Sequence, residues 1–205
     1  DVSDLAGNAA TQASDTSTKD TAAPTISVAI NDGGDGRLNA AEDGSVAIAG
    51  TTSGAEDGQT VAINISSSAG GTPINTTASV NSNSYSVTGL DLSSLNDGTL
   101  TLKADVSDLA GNAATQATDS TSKDSTPPTI AISSDVASLK AGDTAKLSFA
   151  LSEASTDFTD SDLTVSGGAI SGFSGSGTSY SSTFTPSSNS TADGVISVAS
   201  AKFSD

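Results

Sequence analysis

Hydrophobic and polar residues alternate with a period of two along much of the chain. Thr99-Leu100-Thr101-Leu102 and Val61-Ala62-Ile63-Asn64-Ile65 alternate strictly. That is the pattern of a strand with one buried and one wet face. The same reading predicts strands over 24–30, 45–51, 60–66, 84–89 and 99–106, and, after Pro127, over 129–135, 144–153, 163–171, 179–187 and 194–205. Gly, Asp, Asn and Ser clusters separate them, which is turn chemistry. No stretch keeps a helical period, although residues 37–43 suit a single helical turn. Short strands at this spacing predict an all-β sandwich.

The pattern repeats. "DVSDLAGNAATQA" at 1–13 recurs unchanged at 105–117, an offset of 104 residues from residue 1 to residue 105. The match continues from "SDTSTKDTAAPTI" (14–26) into "TDSTSKDSTPPTI" (118–130). A period near 100 is too long for a solenoid and equals one immunoglobulin-like sandwich. The expected organisation is therefore a final strand and linker of a preceding domain at 1–20, a complete domain at 21–124, and a second domain at 125–205. "AKFSD" (201–205) aligns with "ADVSD" (104–108), so the second domain is expected to lack its final strand. The start of its sequence matches the first domain's start, and its interior does not.

Composition narrows what such sandwiches can do. Apolar residues make up 34% of the chain and aromatic residues 3%, with no Trp. This suits two thin cores better than one large one. The formal net charge is -17, from 24 acidic and 7 basic residues. Nucleic acids and anionic lipids both need a positive face, so neither is expected as a partner. Divalent cations are favoured instead. Without Cys there is no disulfide framework, and without His or Cys the usual acid–base and thiol devices of enzymes are missing. Glycosidase chemistry needs only two carboxylates. Sugar clefts also need aromatic platforms, and Tyr85 and Tyr180 stand alone in "SYS" contexts suited to core or edge packing. An enzyme is not expected. No apolar run reaches the ~18 residues of a membrane span, and no signal peptide opens this stretch, which leaves room for an export signal outside it.

Three places carry candidate metal chemistry. "NDGGDGRLNAAE" (31–42) follows a twelve-residue calcium-loop pattern, with Asn31, Asp35, Asn39 and Glu42 at ligand positions and Gly36 at the sharp turn. Gly33 stands where a carboxylate belongs, and Asp32 is the nearest substitute. The other reading is a Gly-rich turn. The linkers carry Asp20 and Asp124, each followed by Pro. Either a Ca²⁺ joins them to neighbouring loops, with Asp108, Glu153 or Asp157 as candidate partners of Asp124, or they are flexible acidic connections. In "DLAGN" (108–112), Gly111 permits positive φ, and Asp108 and Asn112 can bond nearby backbone. This predicts a tight turn between the last two strands, with metal binding at Asp108 as an added role.

Together, the "DLAGN" strand end, the "LNAAE" loop and the "PPTIAI" domain start resemble the bacterial immunoglobulin-like tandem repeats of giant type I secreted (repeats-in-toxin) surface adhesins. The resemblance covers essentially the whole chain, and residues 149–186 are similar to another subtype of these repeats. It implies tandem immunoglobulin-like sandwiches, a cell-surface location outside the bacterium, and a structural stalk whose partners are neighbouring domains of the same kind. It further implies Ca²⁺ at the domain junctions, with metal roles for Asp20, Asp124, Asp35 and Glu42. Two alternatives stand beside it. One is a filament subunit in which residues 1–15 complete the open second domain of a neighbour. The other is a sandwich that binds a glycan or a surface.

Overall fold

The computed structural model describes residues 2–204 and divides the chain at Ser125/Thr126 into two compact units. Both are built from strands, with one three-residue 3-10 turn at Asp160–Asp162. Among the described residues no helix is long and apolar enough to cross a membrane.

The first unit faces two sheets against each other. One contains β1 (Thr25–Ile26), β2 (Ala29–Asn31), β4 (Val46–Ser53) and β7 (Ser84–Leu90). β1 and β2 both lie along β4, with Ile26 opposite Thr52 and Ile30 opposite Ile48. The other runs in the order β3 (Arg37–Leu38), β9 (Ala117–Lys123), β8 (Gly98–Asp105), β5 (Thr60–Ser67), β6 (Ile74–Ser79). All its pairings are antiparallel except β3 with β9. The inward residues are those the alternation selects: Val61, Ile63 and Ile65 on β5, and Leu100, Leu102 and Ala104 on β8. Removing each such aliphatic side chain from water contributes roughly 1.5–3 kcal/mol. The unit has no Phe. Its one aromatic, Tyr85, lies over Gly50, and its hydroxyl donates to the Ser27 carbonyl at 2.7 Å.

The second unit holds all five Phe residues. β10 (Ile130–Ser134), β11 (Ala145–Ser155) and β13 (Gly168–Pro186) form one sheet, and β12 (Leu163–Ser166) pairs with β14 (Val195–Val198). Phe158 packs edge-on to Phe149, Phe173 and Tyr180, with centroids 5.0–6.0 Å apart. Tyr180 donates its hydroxyl to the Ser155 carbonyl at 2.9 Å. Both tyrosines are thus core residues with a satisfied polar tip, as their contexts predict.

Several expectations change: residues 24–30 split into β1 and β2 around Ser27 and Val28, and 179–187 is only the end of β13, which begins at Gly168. Residues 163–171 are not one strand, because Gly167 breaks it with φ +73°. The predicted strand over 194–205 stops at Val198, and Ala201 turns the chain at φ 56°. β6 (INTTAS) carries too few apolar residues to announce itself and is held by pairing with β5. Of residues 37–43, Arg37 and Leu38 are the strand β3, and only Asn39 to Asp43 make a single turn, with the Asp43 amide 3.0 Å from the Asn39 carbonyl.

Candidate functional site

The strand registers fix which candidate residues share an end of the first unit. β8 runs Gly98 to Asp105, and β9 returns from Ala117, opposite Ala104, to Lys123, opposite Gly98. The near end therefore collects Pro24, the 54–59 loop, the 81–83 turn and the 106–116 loop. The far end collects the 31–36 loop, the 39–45 turn, Asp97 and residues 123–125. Asp108 belongs to the near end and Asp124 to the far end. About seven strand residues at ~3.3 Å each separate them, so Asp108 is not a partner of Asp124 within this unit.

At the near end, "DLAGN" forms the predicted turn between β8 and β9. The Gly111 amide bonds the Asp108 carbonyl, and the Asp108 amide bonds the Asn112 carbonyl, both at 3.1 Å. Asp108 Oδ1 accepts the Asn112 amide at 2.8 Å, and Oδ2 accepts Asn112 Nδ2 at 2.8 Å. Asp108 is buried. The Asn112 side-chain bond, with its backbone amide, holds the carboxyl below its usual range despite burial. Asn112 Nδ2 also lies 3.4 Å from the carbonyl of Asp20, whose own carboxylate accepts the Ala22 amide at 2.9 Å. Sequence reading missed Glu56, which closes the group by accepting the Leu109 amide at 2.7 Å. The second unit has a counterpart: Asp157 Oδ1 accepts the Ser204 amide at 3.0 Å. Ser155 and then Ser204 lower the pKa of Asp157. Asp205, the residue aligned with Asp108, lies outside the described residues.

At the far end, the candidate calcium loop folds onto its own amides. Asn31 Oδ1 accepts Gly33 N (3.3 Å), Asp32 Oδ1 accepts Gly34 N (3.1 Å), and Asp35 Oδ1 accepts Arg37 N (3.0 Å). Asn39 Oδ1 accepts Ala41 N (2.8 Å), and Glu42 Oε2 accepts Asn39 N (3.1 Å). Asp32 Oδ2 takes the Thr121 hydroxyl at 2.9 Å, and that bond foremost depresses its pKa. Glu42 Oε1 sits 3.1 Å from where a Cβ on Gly33 would stand. Glu42 thus reaches back over the very position where the loop pattern lacks its acid. In this conformation Asn31, Asp32, Asp35, Asn39 and Glu42 each give one oxygen to a backbone amide of the loop. No three acidic side chains gather as a metal cage among the described residues. Asp124 joins the same end, its amide bonded to the Leu38 carbonyl at 2.9 Å. Glu153 lies on β11 of the second unit.

The far end also holds a group that sequence reading did not single out. Lys123 is buried, with its ammonium 3.0 Å from Asp97 Oδ1 and 3.1 Å from Asp43 Oδ2. Ser125 Oγ bridges to Asp97 at 2.8 Å. Burial opposes the charge on Lys123, but the hydrogen bonds and attraction of Asp97 and Asp43 outweigh it and raise its pKa. On β9 residues 117, 119, 121 and 123 share the inward face, so the Lys there needs buried partners; the polar sequence of this strand carries no signal of which face that is.

Residues 124–205 match the family model described as "Bacterial Ig-like domain". The second unit therefore carries an immunoglobulin-like sandwich of the bacterial kind. Among solved structures, the chain is similar to a "Crystal structure of tetra-tandem repeat in extending region of large adhesion protein". Identity is 28% over 85% of this chain and 41% of that one, with a TM-score of 0.44. The chain thus spans about two fifths of that structure's length. Among curated proteins nothing matches.

Proposed function

We propose that this chain is an extender segment of a large bacterial surface adhesin: it transmits length and tension between other domains and does no chemistry of its own. The observation that supports this is the path of the chain through the first unit. The chain enters beside Pro24 at one end and leaves through Lys123 at the other. β9 makes the difference, because without it the chain would end at the near end where it began. Domains in series with this path add their lengths, each eight-residue strand contributing about 26 Å.

Calcium is the finer part of the proposal. Both ends of the first unit are acidic: Asp20, Glu56, Asp57 and Asp108 at one, Asp32, Asp35, Glu42 and Asp124 at the other. Bare carboxylates at successive junctions repel, and Ca²⁺ neutralises them; extracellular modules bind it at roughly 10⁻⁴–10⁻³ M. The support here is charge density and oxygen chemistry, and binding requires Glu42 and its neighbours to exchange amide bonds for the ion. The test is calorimetric titration of residues 1–205 with CaCl₂, with small-angle scattering in Ca²⁺ and in EDTA. The expected result is saturable binding, weakened in Asp124→Ala and in Glu42→Gln, and a longer or stiffer particle in Ca²⁺. Superimposable scattering curves together with no heat of binding would sink the calcium reading and leave the extender reading standing.

A further inference from the structure

In the first unit, the entering and leaving segments run side by side in one direction. β2 leads from the near end into the 31–36 loop, and β9 leads from Ala117 to Lys123 at the far end. β2 belongs to the opposite sheet, so its backbone has no ladder with β9. The side chains of Asp119 and Asp32 span the gap. Asp119 Oδ2 accepts the Ile30 amide, and Asp32 Oδ2 accepts the Thr121 hydroxyl, both at 2.9 Å. Beyond the loop, β3 joins β9 as a parallel pair. There the Gly36 carbonyl accepts the Ser122 amide at 3.2 Å, and the Leu38 carbonyl accepts the Asp124 amide at 2.9 Å.

The partners keep register. The offset is 89 residues for Ile30 with Asp119 and for Asp32 with Thr121. It is 86 for Gly36 with Ser122 (122 − 36) and for Leu38 with Asp124 (124 − 38). Residues 33–35 take up the difference by looping out, and Gly33 and Gly34 allow this with φ of +78° and +92°. The Gly-rich stretch is therefore the crossing from the sheet of β2 to the sheet of β3, with β9 alongside throughout. At the end of the row, Lys123 ties β9 to Asp43 and Asp97.

We propose that this row is a shear clamp: Ile30–Asp119, Asp32–Thr121, Gly36–Ser122 and Leu38–Asp124 share the load when the first unit is under tension, and hold it folded. The inference rests on the extender reading for the direction of the load. Tension reaches β2 from Pro24 at the near end and β9 from Asp124 at the far end. It draws two parallel segments in opposite directions along their common axis, so the bonds of the row are strained together and must fail together. A pull that spreads the far ends of β3 and β9 breaks the same bonds one after another. Asp32 and Asp119 are the specific devices, because they staple across two sheets whose backbones do not pair there. Their bonds are charge-assisted and therefore stronger than neutral ones.

The chain has no Cys, so paired cysteines set the direction of pull. Optical tweezers hold the full chain at constant force, in EDTA to keep Ca²⁺ out of the result. Ala23→Cys with Pro127→Cys loads the row in shear, and Ala40→Cys with Pro127→Cys peels it from the far end. At equal force the folded lifetime in shear should exceed that in the peel at least about tenfold, since one charge-assisted bond is worth about that factor in rate. Thr121→Val and Asp119→Ala should each shorten the shear lifetime roughly tenfold. Ile65→Val, a core deletion on β5 outside the row, should shorten it at least about threefold less for the same loss of urea stability. The proposal is overturned by a lifetime no longer in shear than in the peel, or by Thr121 and Asp119 variants that act no more strongly than Ile65→Val at matched stability. The extender reading is judged separately in the same traces. The length gained on unfolding shows whether residues 23 and 127 stand about one strand length apart, ~26 Å; anchors found side by side would sink that reading instead.

Discussion

The Lys123 ammonium lies 3.0 Å from Asp97 Oδ1 in the far end of the first unit, with its side chain almost fully buried. Asp97 comes from the residue before β8, and Lys123 ends β9, so the pair locks the last strand to its neighbour. Asp43 takes a second ammonium proton at 3.1 Å. Removing the cation leaves two carboxylates facing each other. Lys123→Met should therefore cost roughly 3–5 kcal/mol of the first unit's stability, the cost of breaking a buried ion pair from one side. Urea denaturation followed by tyrosine fluorescence in a Tyr180→Phe background, where Tyr85 is the remaining tyrosine, measures it. A midpoint unchanged from the unaltered chain would show that the pair is no more than a surface salt bridge.

Tyr85 predicts the alkaline limit. Burial pushes its phenol up to about 12 from 10.0. A neutral acid whose pKa is raised on folding stabilises the fold below the unfolded pKa, and that contribution is lost as pH rises from about 10 through about 12. Tyr85→Phe removes the titration together with the hydrogen bond to Ser27. The variant should be less stable at pH 7 by about 1 kcal/mol, and its stability should fall less between pH 10 and 12. Parallel pH–stability curves for the two proteins would refute the assignment.

Gly50 predicts a steric failure. It faces Tyr85 across β4 and β7. A Cβ there would run into the Ser27 carbonyl and stand 2.5 Å from the Tyr85 ring. The carbonyl is backbone, tied into the strand, and cannot step aside as a flexible side chain does. Gly50→Ala should cost about 3 kcal/mol or more. Combining it with Tyr85→Leu should recover only part of this, because the carbonyl remains. Melting of the single and double variants decides the point.

The two "DLAGN" turns supply an internal control. Asp4 and Asp108 make the same bonds, with Asn8 amide and Nδ2 at 2.9 Å in one and Asn112 amide and Nδ2 at 2.8 Å in the other. The pKa of each is lowered, foremost by the Asn side chain. A depressed carboxyl pKa stabilises above its unfolded value and loses that contribution as pH falls through the folded value. Only Asp108 is packed into a folded unit. Asp108→Ala should lower the melting temperature at pH 7 and shrink the loss on acidification below about pH 4. Asp4→Ala should leave both unchanged, and an equal fall for both variants would contradict this reading.

Most of the strands were legible because their apolar residues alternate and their turns carry Gly, Asp and Asn. Val61-Ala62-Ile63-Asn64-Ile65 states its buried face outright. β6 was not legible, because Ile74-Asn75-Thr76-Thr77 gains its place from β5 and not from its own hydrophobicity. Each candidate loop residue was legible as an oxygen donor. Whether those donors converge was not, since Asn31, Asp32, Asp35 and Asn39 each find a nearer amide within two residues. The Lys123 group was not legible: both faces of β9 read as polar in the sequence, and nothing in the chain order linked Lys123 to Asp43 and Asp97.

What the sequence determined alone is the turn made of its own five residues. "DLAGN" takes the same form at 4–8, exposed, and at 108–112, against a core, because its bonds span at most four residues and Gly7 and Gly111 (φ +85° and +93°) allow the bend. Local bonds need no distant partner. Only the tertiary structure decided that Asp108 is buried and Asp4 exposed, that Asp108 and Asp124 stand at opposite ends of one unit, and that Lys123 has two carboxylates while Lys19 lies in the open. Those facts depend on strands tens of residues apart taking one register. That register is set by which faces together exclude water, a property no short stretch of this chain possesses.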